Sequence, residues 1–248
     1  LPIFVWKNGT TVCWNYQFDA MDQLTKVVKW TKSGSSWSSA TVGEYFYDAN
    51  GARARTVEGS TTVDYLFLGH DPLYDKNGTV HSKYVYVDGR LVAKLIGTDA
   101  YAYLTDALGG VWQVWKSGAT SAAFSVSSYK PFGVPVVSAS TLKEKVRFAG
   151  EMQDSSTGLY YIFARYMDPE LGRFVSLDPQ LGSLSAPQSM NRYVYCVNNP
   201  LGYVDPWGLR DVRVGRNVEV REPTLDEVMF YIGFIPGVDI VSDLYFLG

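Results

Sequence analysis

Aromatic residues two apart, followed at once by a turn, recur five times and leave this chain few folds to choose from. The segments are "YQFDAMDQLTKV" from Tyr16, "YFYDANGARART" from Tyr45, "YVYVDGRLVAKL" from Tyr84, "YAYLTDALGGVWQV" from Tyr101 and "SSYKPFGVPVV" from Ser127. Each reads as a strand, a turn carrying Asp, Gly or Asn, and a return strand of β-branched or basic residues. Side chains two apart share one face of a strand, so the paired aromatics line one side of a sheet. Cross-strand aromatic pairs stabilise such a ladder. Asp and Asn bond the turn backbone, and Gly supplies positive φ. The turn acids Asp19, Asp48, Asp88 and Asp106 are unevenly spaced. A closed propeller wants a steadier period, so a long coiling sheet with variable hairpins fits better.

Composition agrees. Of 248 residues, 15% are aromatic, 18 of them Tyr, which favours half-buried pleated surfaces. Apolar content of 46% with a net charge of −3 describes a soluble globular protein rather than a disordered one. No basic patch or run appears, which argues against a nucleic-acid partner. The two cysteines, Cys13 and Cys196, lie far apart and read as two buried thiols rather than a disulfide. The two histidines, His70 and His81, cannot hold a metal without carboxylate help, and no HExxH, CxxC, GxSxG or P-loop pattern occurs, so neither cofactor nor metal is expected. Asn8-Gly9-Thr10 and Asn77-Gly78-Thr79 match the glycosylation pattern, but Asn-Gly is foremost a hairpin turn signal. The chain begins without Met or a charged leader and reads as cut from something longer.

Residues 31–43, "TKSGSSWSSATVG", are rich in Ser and Gly and read as a long loop between hairpin strands. From 139 to 209 the character changes: Asp-Pro, Asn-Asn-Pro and Gly punctuate the chain densely, and 186–195 has room for one short helix. After Leu209 it changes again. Thr224 and Glu227 form a capping box ahead of an apolar run from Val228 to Val241. Pro236 and Asp239 interrupt that run, so it reads as a helical hairpin, too short for a stable membrane span.

These hairpins, followed by "TGLYYIFARYMDPELGRFVSLDP" and "NRYVYCVNNPLGYVDPWGL", resemble the Rhs/YD-repeat family with its Rhs repeat-associated core domain. The core resemblance covers residues 148–209 and is specific; Met167 stands where the family usually has Tyr, and Cys196 where it has a small residue. The looser repeats cover most of 14–138. The resemblance implies an all-β fold: a spiralling antiparallel sheet over 1–138 forming part of a hollow shell, a turn-rich plug over 139–209, and a variable C-terminal region over 210–248 with a short helical tail. It implies a secreted or surface-displayed protein of the polymorphic-toxin or toxin-complex kind, whose partners are its own C-terminal region as encapsulated cargo and the remainder of the shell or a delivery protein.

The resemblance also implies that the plug is an aspartyl autoprotease cutting between Leu209 and Arg210, with acids at Asp178 and Asp205 and an arginine at Arg165. The chemistry is coherent. Two carboxylates held close cannot both ionise freely, so one can act as base while the other holds a proton. A guanidinium could fix the ionised partner or steady the oxyanion, and Arg173 competes with Arg165 for that part. The Pro after each acid fixes the local backbone, and Gly208 lets the chain approach the acids. Among the four Asp-Pro pairs, Asp168 reads as a turn former. Tyr160, Tyr161, Tyr166, Tyr193 and Tyr195 read as core. The rival reading is a structural or adhesive extracellular scaffold of the same repeats that self-associates, with cleavage incidental or absent. A third is a fragment whose cargo lies beyond residue 248. The 39 residues after Leu209 contain no His and no Cys, which weighs against a nuclease or deaminase within them.

Overall fold

The computed structural model describes residues 3–7, 11–182, 187–209 and 211–213. Thirteen strands, β1 (Ile3–Lys7) to β13 (Pro135–Ser140), form one antiparallel meander in which every strand pairs with its sequence neighbours. All five repeats fold as hairpins: β2 (Val12–Phe18) with β3 (Leu24–Ser33), β4 (Ser36–Tyr47) with β5 (Arg53–Glu58), β8 (Val80–Val87) with β9 (Arg90–Ile96), β10 (Asp99–Thr105) with β11 (Val111–Lys116), and β12 (Phe124–Tyr129) with β13.

Three of the turn acids work identically. Asp19 Oδ1 accepts the N–H groups of Met21 and Gln23 at 2.8 and 2.9 Å. Asp48 Oδ1 accepts those of Asn50 and Ala52 at 2.8 and 3.0 Å, and Asp106 Oδ1 those of Leu108 and Gly110 at 2.9 and 2.8 Å. Asp88 differs. It forms a two-residue turn with Gly89, both at positive φ (49° and 70°), the geometry that matches strand twist. Asn77-Gly78-Thr79 is likewise a hairpin turn, between β7 (Asp71–Asn77) and β8, whereas Asn8-Gly9-Thr10 lies outside the described residues.

Residues 31–43 are not a loop. β3 runs to Ser33 and β4 starts at Ser36, joined by Gly34 at φ +60°. Ser and Thr sit comfortably on an exposed ladder, where backbone bonds rather than buried side chains hold the pairing. Trp37 adds packing by meeting Trp6 edge-on at 5.6 Å and carrying Lys32 over its ring at 5.9 Å. Composition signalled a loop where register supplied a hairpin.

The segment read above as a plug, called the plug below, follows: β14 (Met152–Gln153), β15 (Tyr160–Ile162), β16 (Arg165–Asp168) and β17 (Arg173–Phe174) form a small antiparallel sheet. A short pair, β18 (Tyr203–Val204) and β19 (Val212–Arg213), closes the described chain. The expected helix in 186–195 shrinks to one 3-10 turn, Pro187–Met190. The capping box and the apolar run lie outside the described residues.

One face of the large sheet packs on the plug. Tyr16, Val27, Tyr45, Tyr65 and Tyr84 share a buried core with Met152, Leu159, Tyr161 and Tyr166. The ring centroids of Tyr45 and Tyr166 lie 5.0 Å apart, and those of Phe67 and Tyr161 5.4 Å. Arg53 pins the two layers: buried completely, it donates to both Asp154 oxygens at 2.9 and 3.0 Å and stacks 4.3 Å from the Tyr161 ring. Tyr160, Tyr161, Tyr166 and Tyr195 are core, but Tyr193 is only half-buried. Cys13 and Cys196 are free and buried.

Candidate functional site

The site is built around Arg165, the first residue of β16. The β15–β16 turn, Phe163-Ala164, presents it with Phe163 forced to φ +39°. Arg165 is 4% exposed and its guanidinium lies 3.6 Å from the Phe174 ring centre, which fixes its plane. One nitrogen, Nη2, reaches both sequence-predicted acids: Asp178 Oδ2 at 2.9 Å and Asp205 Oδ2 at 3.4 Å. Two acids 27 residues apart in sequence thus meet on one cation. Arg173, the competing candidate, is an exposed residue of β17.

The same guanidinium also holds nearby backbone. Nε donates to the Gly208 carbonyl, and Nη1 to the Arg192 carbonyl at 3.2 Å. Asp205 Oδ1 accepts the Leu209 N–H at 3.0 Å. The Gly208–Leu209 peptide is therefore gripped at its carbonyl by Arg165 and at its N–H by Asp205, one peptide before the bond predicted to break. Arg210 lies outside the described residues.

Gly208 sits at φ +63°, and an added Cβ would run into the Ile162 carbonyl oxygen. What comes close to Gly208 is thus the plug's own β15–β16 hairpin. Trp207 wedges the loop in place: its ring meets Phe163 at 5.2 Å and His70 at 5.2 Å, while its carbonyl accepts the Ala164 N–H at 3.2 Å. Asp178 is fixed by exchange with Arg192. Its N–H donates to the Arg192 carbonyl at 2.9 Å, and its own carbonyl accepts Arg192 Nε at 2.6 Å. Its Oδ1 accepts the Gln180 N–H at 2.8 Å. Asp168 is a turn former, receiving Glu170 N–H at 2.9 Å on Oδ1 and Gly172 N–H at 2.8 Å on its carbonyl.

The electrostatics are those of an acid-rich, largely buried cluster. Burial pulls the Arg165 guanidinium below its ordinary value against the opposing pull of Asp178 and Asp205, yet arginine remains charged. Glu151 is pushed well above the ordinary glutamate range, first by burial and then by Asp71 and Asp205. Asp211 is raised to about 6, again by burial first and then by Asp205. Sequence reasoning missed Asp211, Arg192, Phe174 and Trp207 as members of this site. Only Asp211, two residues past the expected cut, carried any local signal.

A cavity of about 300 Å³ lies where Trp14 and Lys29 meet Gln153, Ser156 and Asp168, and none of the three site residues lines it. Among the described residues no group of His, Cys, Asp or Glu is placed to hold a metal ion, and no helix is long and apolar enough to cross a membrane.

No family profile matches the chain. Individual proteins do. The tRNA3(Ser)-specific nuclease WapA of Bacillus spizizenii is 37% identical over 215 residues, covering 82% of this chain and 9% of that protein. Double-stranded DNA deaminase toxin A of Burkholderia cenocepacia is 44% identical over 73 residues, 29% of this chain and 5% of that protein. The chain thus spans under a tenth of the length of either. Among solved structures, the Photorhabdus luminescens Tc holotoxin pore with a TccC3 variant superposes with a TM-score of 0.62 at 20% identity, covering 85% of this chain and 11% of that one. That likeness shows the fold.

Proposed function

We propose, because the chain belongs to the Rhs-type YD-repeat proteins, that it is a shell-and-plug segment that cuts its own backbone once, between Leu209 and Arg210. Residues 1–138 serve as shell wall, 139–209 as the autoprotease plug, and 210–248 begin the segment that the shell encloses and releases. Relatives named for unrelated chemistries, a tRNA nuclease and a DNA deaminase, share sequence with this chain. What they have in common is therefore better sought in packaging and release than in either activity. A secreted or delivered protein that associates with further shell or delivery proteins fits the same reading.

The observation that carries the proposal is the single Arg165 nitrogen bridging Asp178 and Asp205 beside a gripped Gly208–Leu209 peptide. Hydrolysis adds a water oxygen to the Leu209 carbonyl carbon and breaks the bond to the Arg210 nitrogen. One water proton passes to a carboxylate, and a proton reaches the leaving nitrogen. Asp178, whose side chain is 18% exposed against 1% for Asp205, is the acid that solvent can reach and takes the base role. Asp205 orients the bond through Leu209 N–H. Arg165, already on the preceding carbonyl, stands ready to stabilise the oxyanion. Asp178 Oδ1 and both Asp205 oxygens accept an N–H here and Asp178 Oδ2 is ion-paired with Arg165, so holding a proton between the acids requires one of these contacts to open. Reaction in cis needs no substrate affinity, because the bond belongs to the same chain as the acids.

Intact mass under denaturing conditions tests this on wild type, Asp205→Asn and Asp178→Asn. Wild type should appear as two species divided after Leu209, and both variants as whole chains. A wild type that stays whole, or an Asp205→Asn chain that still divides, overturns the proposal.

A specific observation also favours the scaffold reading: the sheet face away from the plug exposes Phe4, Trp6 and Phe46 by half or more. That surface suits association between chains, whether or not the plug cuts.

A further inference from the structure

A cluster of buried charge lies away from Arg165, and the proposed cleavage leaves it unused. Its members are Asp75 of β7, Lys94 of β9 and Glu144, which stands between β13 and β14; all three are buried. Asp75 pairs in register with Ser82 of β8, and Lys94 with Tyr84. Ser82 and Tyr84 stand two apart and are both buried, so Asp75 and Lys94 share the inner face of the sheet, with β8 between them. Lys94 Nζ lies 3.8 Å from Asp75 Oδ2 and 3.8 Å from Glu144 Oε2. Both distances are longer than a hydrogen bond. The same nitrogen lies 4.7 Å from the centre of the Tyr84 ring.

Other groups hold the two acids. The Tyr84 hydroxyl donates to Asp75 Oδ2 at 2.6 Å, and the Tyr103 hydroxyl donates to Glu144 Oε2. Glu144 Oε1 accepts the N–H groups of Lys145 and Val146 at 2.9 and 2.8 Å, which fixes that carboxylate on its own backbone. Burial first, and then these acids, pushes both tyrosine hydroxyls well above their ordinary range, so they stay protonated and donate. A buried ion pair offsets its desolvation only through close, well-made contacts. Lys94 stands off from both acids instead, as an amine does beside a carboxyl carbon it has yet to reach.

We propose that Lys94 and Asp75 join covalently, through an amide between Nζ and the Asp75 carboxyl carbon, with Glu144 as the acid–base group. Glu144 Oε2 takes a proton from Lys94, and the freed amine attacks the Asp75 carboxyl carbon. The Tyr84 hydroxyl stabilises the charge that develops on Oδ2. Of the three ammonium hydrogens, one remains on the amide nitrogen. The other two leave with one Asp75 oxygen as water, relayed through Glu144, which ends as it began. No further reactant is needed. Holding the groups together on a folded sheet supplies the effective concentration that lysine and aspartate lack in open water. The product replaces a buried cation and a buried anion with one neutral amide, and so removes their desolvation cost. It also ties β7 to β9 across β8 by a bond that unfolding cannot break. All three residues precede Leu209, so the link stands apart from self-cleavage.

The intact mass of the folded, purified chain reads the bond directly. Wild type should be one water lighter than its sequence, whether as the whole chain or as the piece ending at Leu209. Trypsin should then pass over Lys94 and yield a branched peptide joining residues 56–76 to residues 91–116. Lys94→Arg keeps the cation and should carry its full sequence mass. Asp75→Asn should still link, losing ammonia in place of water. Glu144→Gln should leave the two residues unlinked, with circular dichroism like that of wild type. Wild type at its full sequence mass overturns the proposal. So does a lost water that maps elsewhere, such as to Asp88-Gly89. A link formed to the wild-type extent in Glu144→Gln overturns the acid–base assignment and the mechanism built on it.

Discussion

Single buried charges decide most of the local energetics of this chain. Arg53 and Asp154 are both withdrawn from water, and burial raises the Asp154 carboxyl while Arg53 pulls it down. Losing one partner strands the other, at a cost of about 3–5 kcal/mol. Arg53→Met should therefore lower stability by that amount in urea unfolding. The double variant Arg53→Met with Asp154→Leu should regain most of it, because two apolar side chains need no partner. Glu151 gives a pH signature. Its folded-state value lies above its unfolded one, so over the range above ordinary glutamate titration the folded chain retains a proton that the unfolded chain releases. Stability attributable to Glu151 is thus full at low pH and declines as pH rises. Glu151→Gln should be more stable than wild type at neutral pH and no better under acid, as read from urea midpoints at the two pH values.

At the scale of elements, the turns carry the repeat. Asp48 Oδ1 closes the β4–β5 turn by accepting two N–H groups, and Asp48→Ala should cost about 1–2 kcal/mol in thermal or urea unfolding. Asp88→Gly should be tolerated, because its turn asks for positive φ, which glycine adopts freely. This division marks what was legible in the sequence. Aromatic alternation and turn acids are local signals, and the hairpins they implied at Tyr16, Tyr45, Tyr84, Tyr101 and Ser127 are all present. The β3–β4 hairpin was illegible because Ser, Thr and Gly carry no alternation, and its order comes from backbone pairing and from Trp6 on another strand meeting Trp37. The site was half legible. Asp178, Asp205 and Arg165 could be picked out by motif, and the fold brings them onto one nitrogen. Arg192, Phe174, Trp207 and Asp211 act through contacts made only on folding, such as the Trp207 ring against His70, and no spacing rule announces those.

For the whole molecule, the exposed face of the large sheet matters most. On the side away from the plug, Phe4 is 58% exposed, Trp6 55% and Trp37 39%. Contiguous exposed aromatics of this kind favour association. The chain should therefore self-associate in solution through this aromatic face. Sedimentation velocity across a concentration series measures this directly. Phe4→Lys and Trp6→Lys place charge on the solvent face and leave Ile3 and Val5 on the core side. Both should shift the population toward monomer; Phe4→Lys should do so without lowering the unfolding midpoint, whereas Trp6→Lys also removes the contact with Trp37 and should lower it. Monomeric wild type at every concentration would overturn this. Because Phe4 and Trp6 lie away from the plug, the same variants should also cut at the wild-type rate, so assembly and self-cleavage can be varied independently.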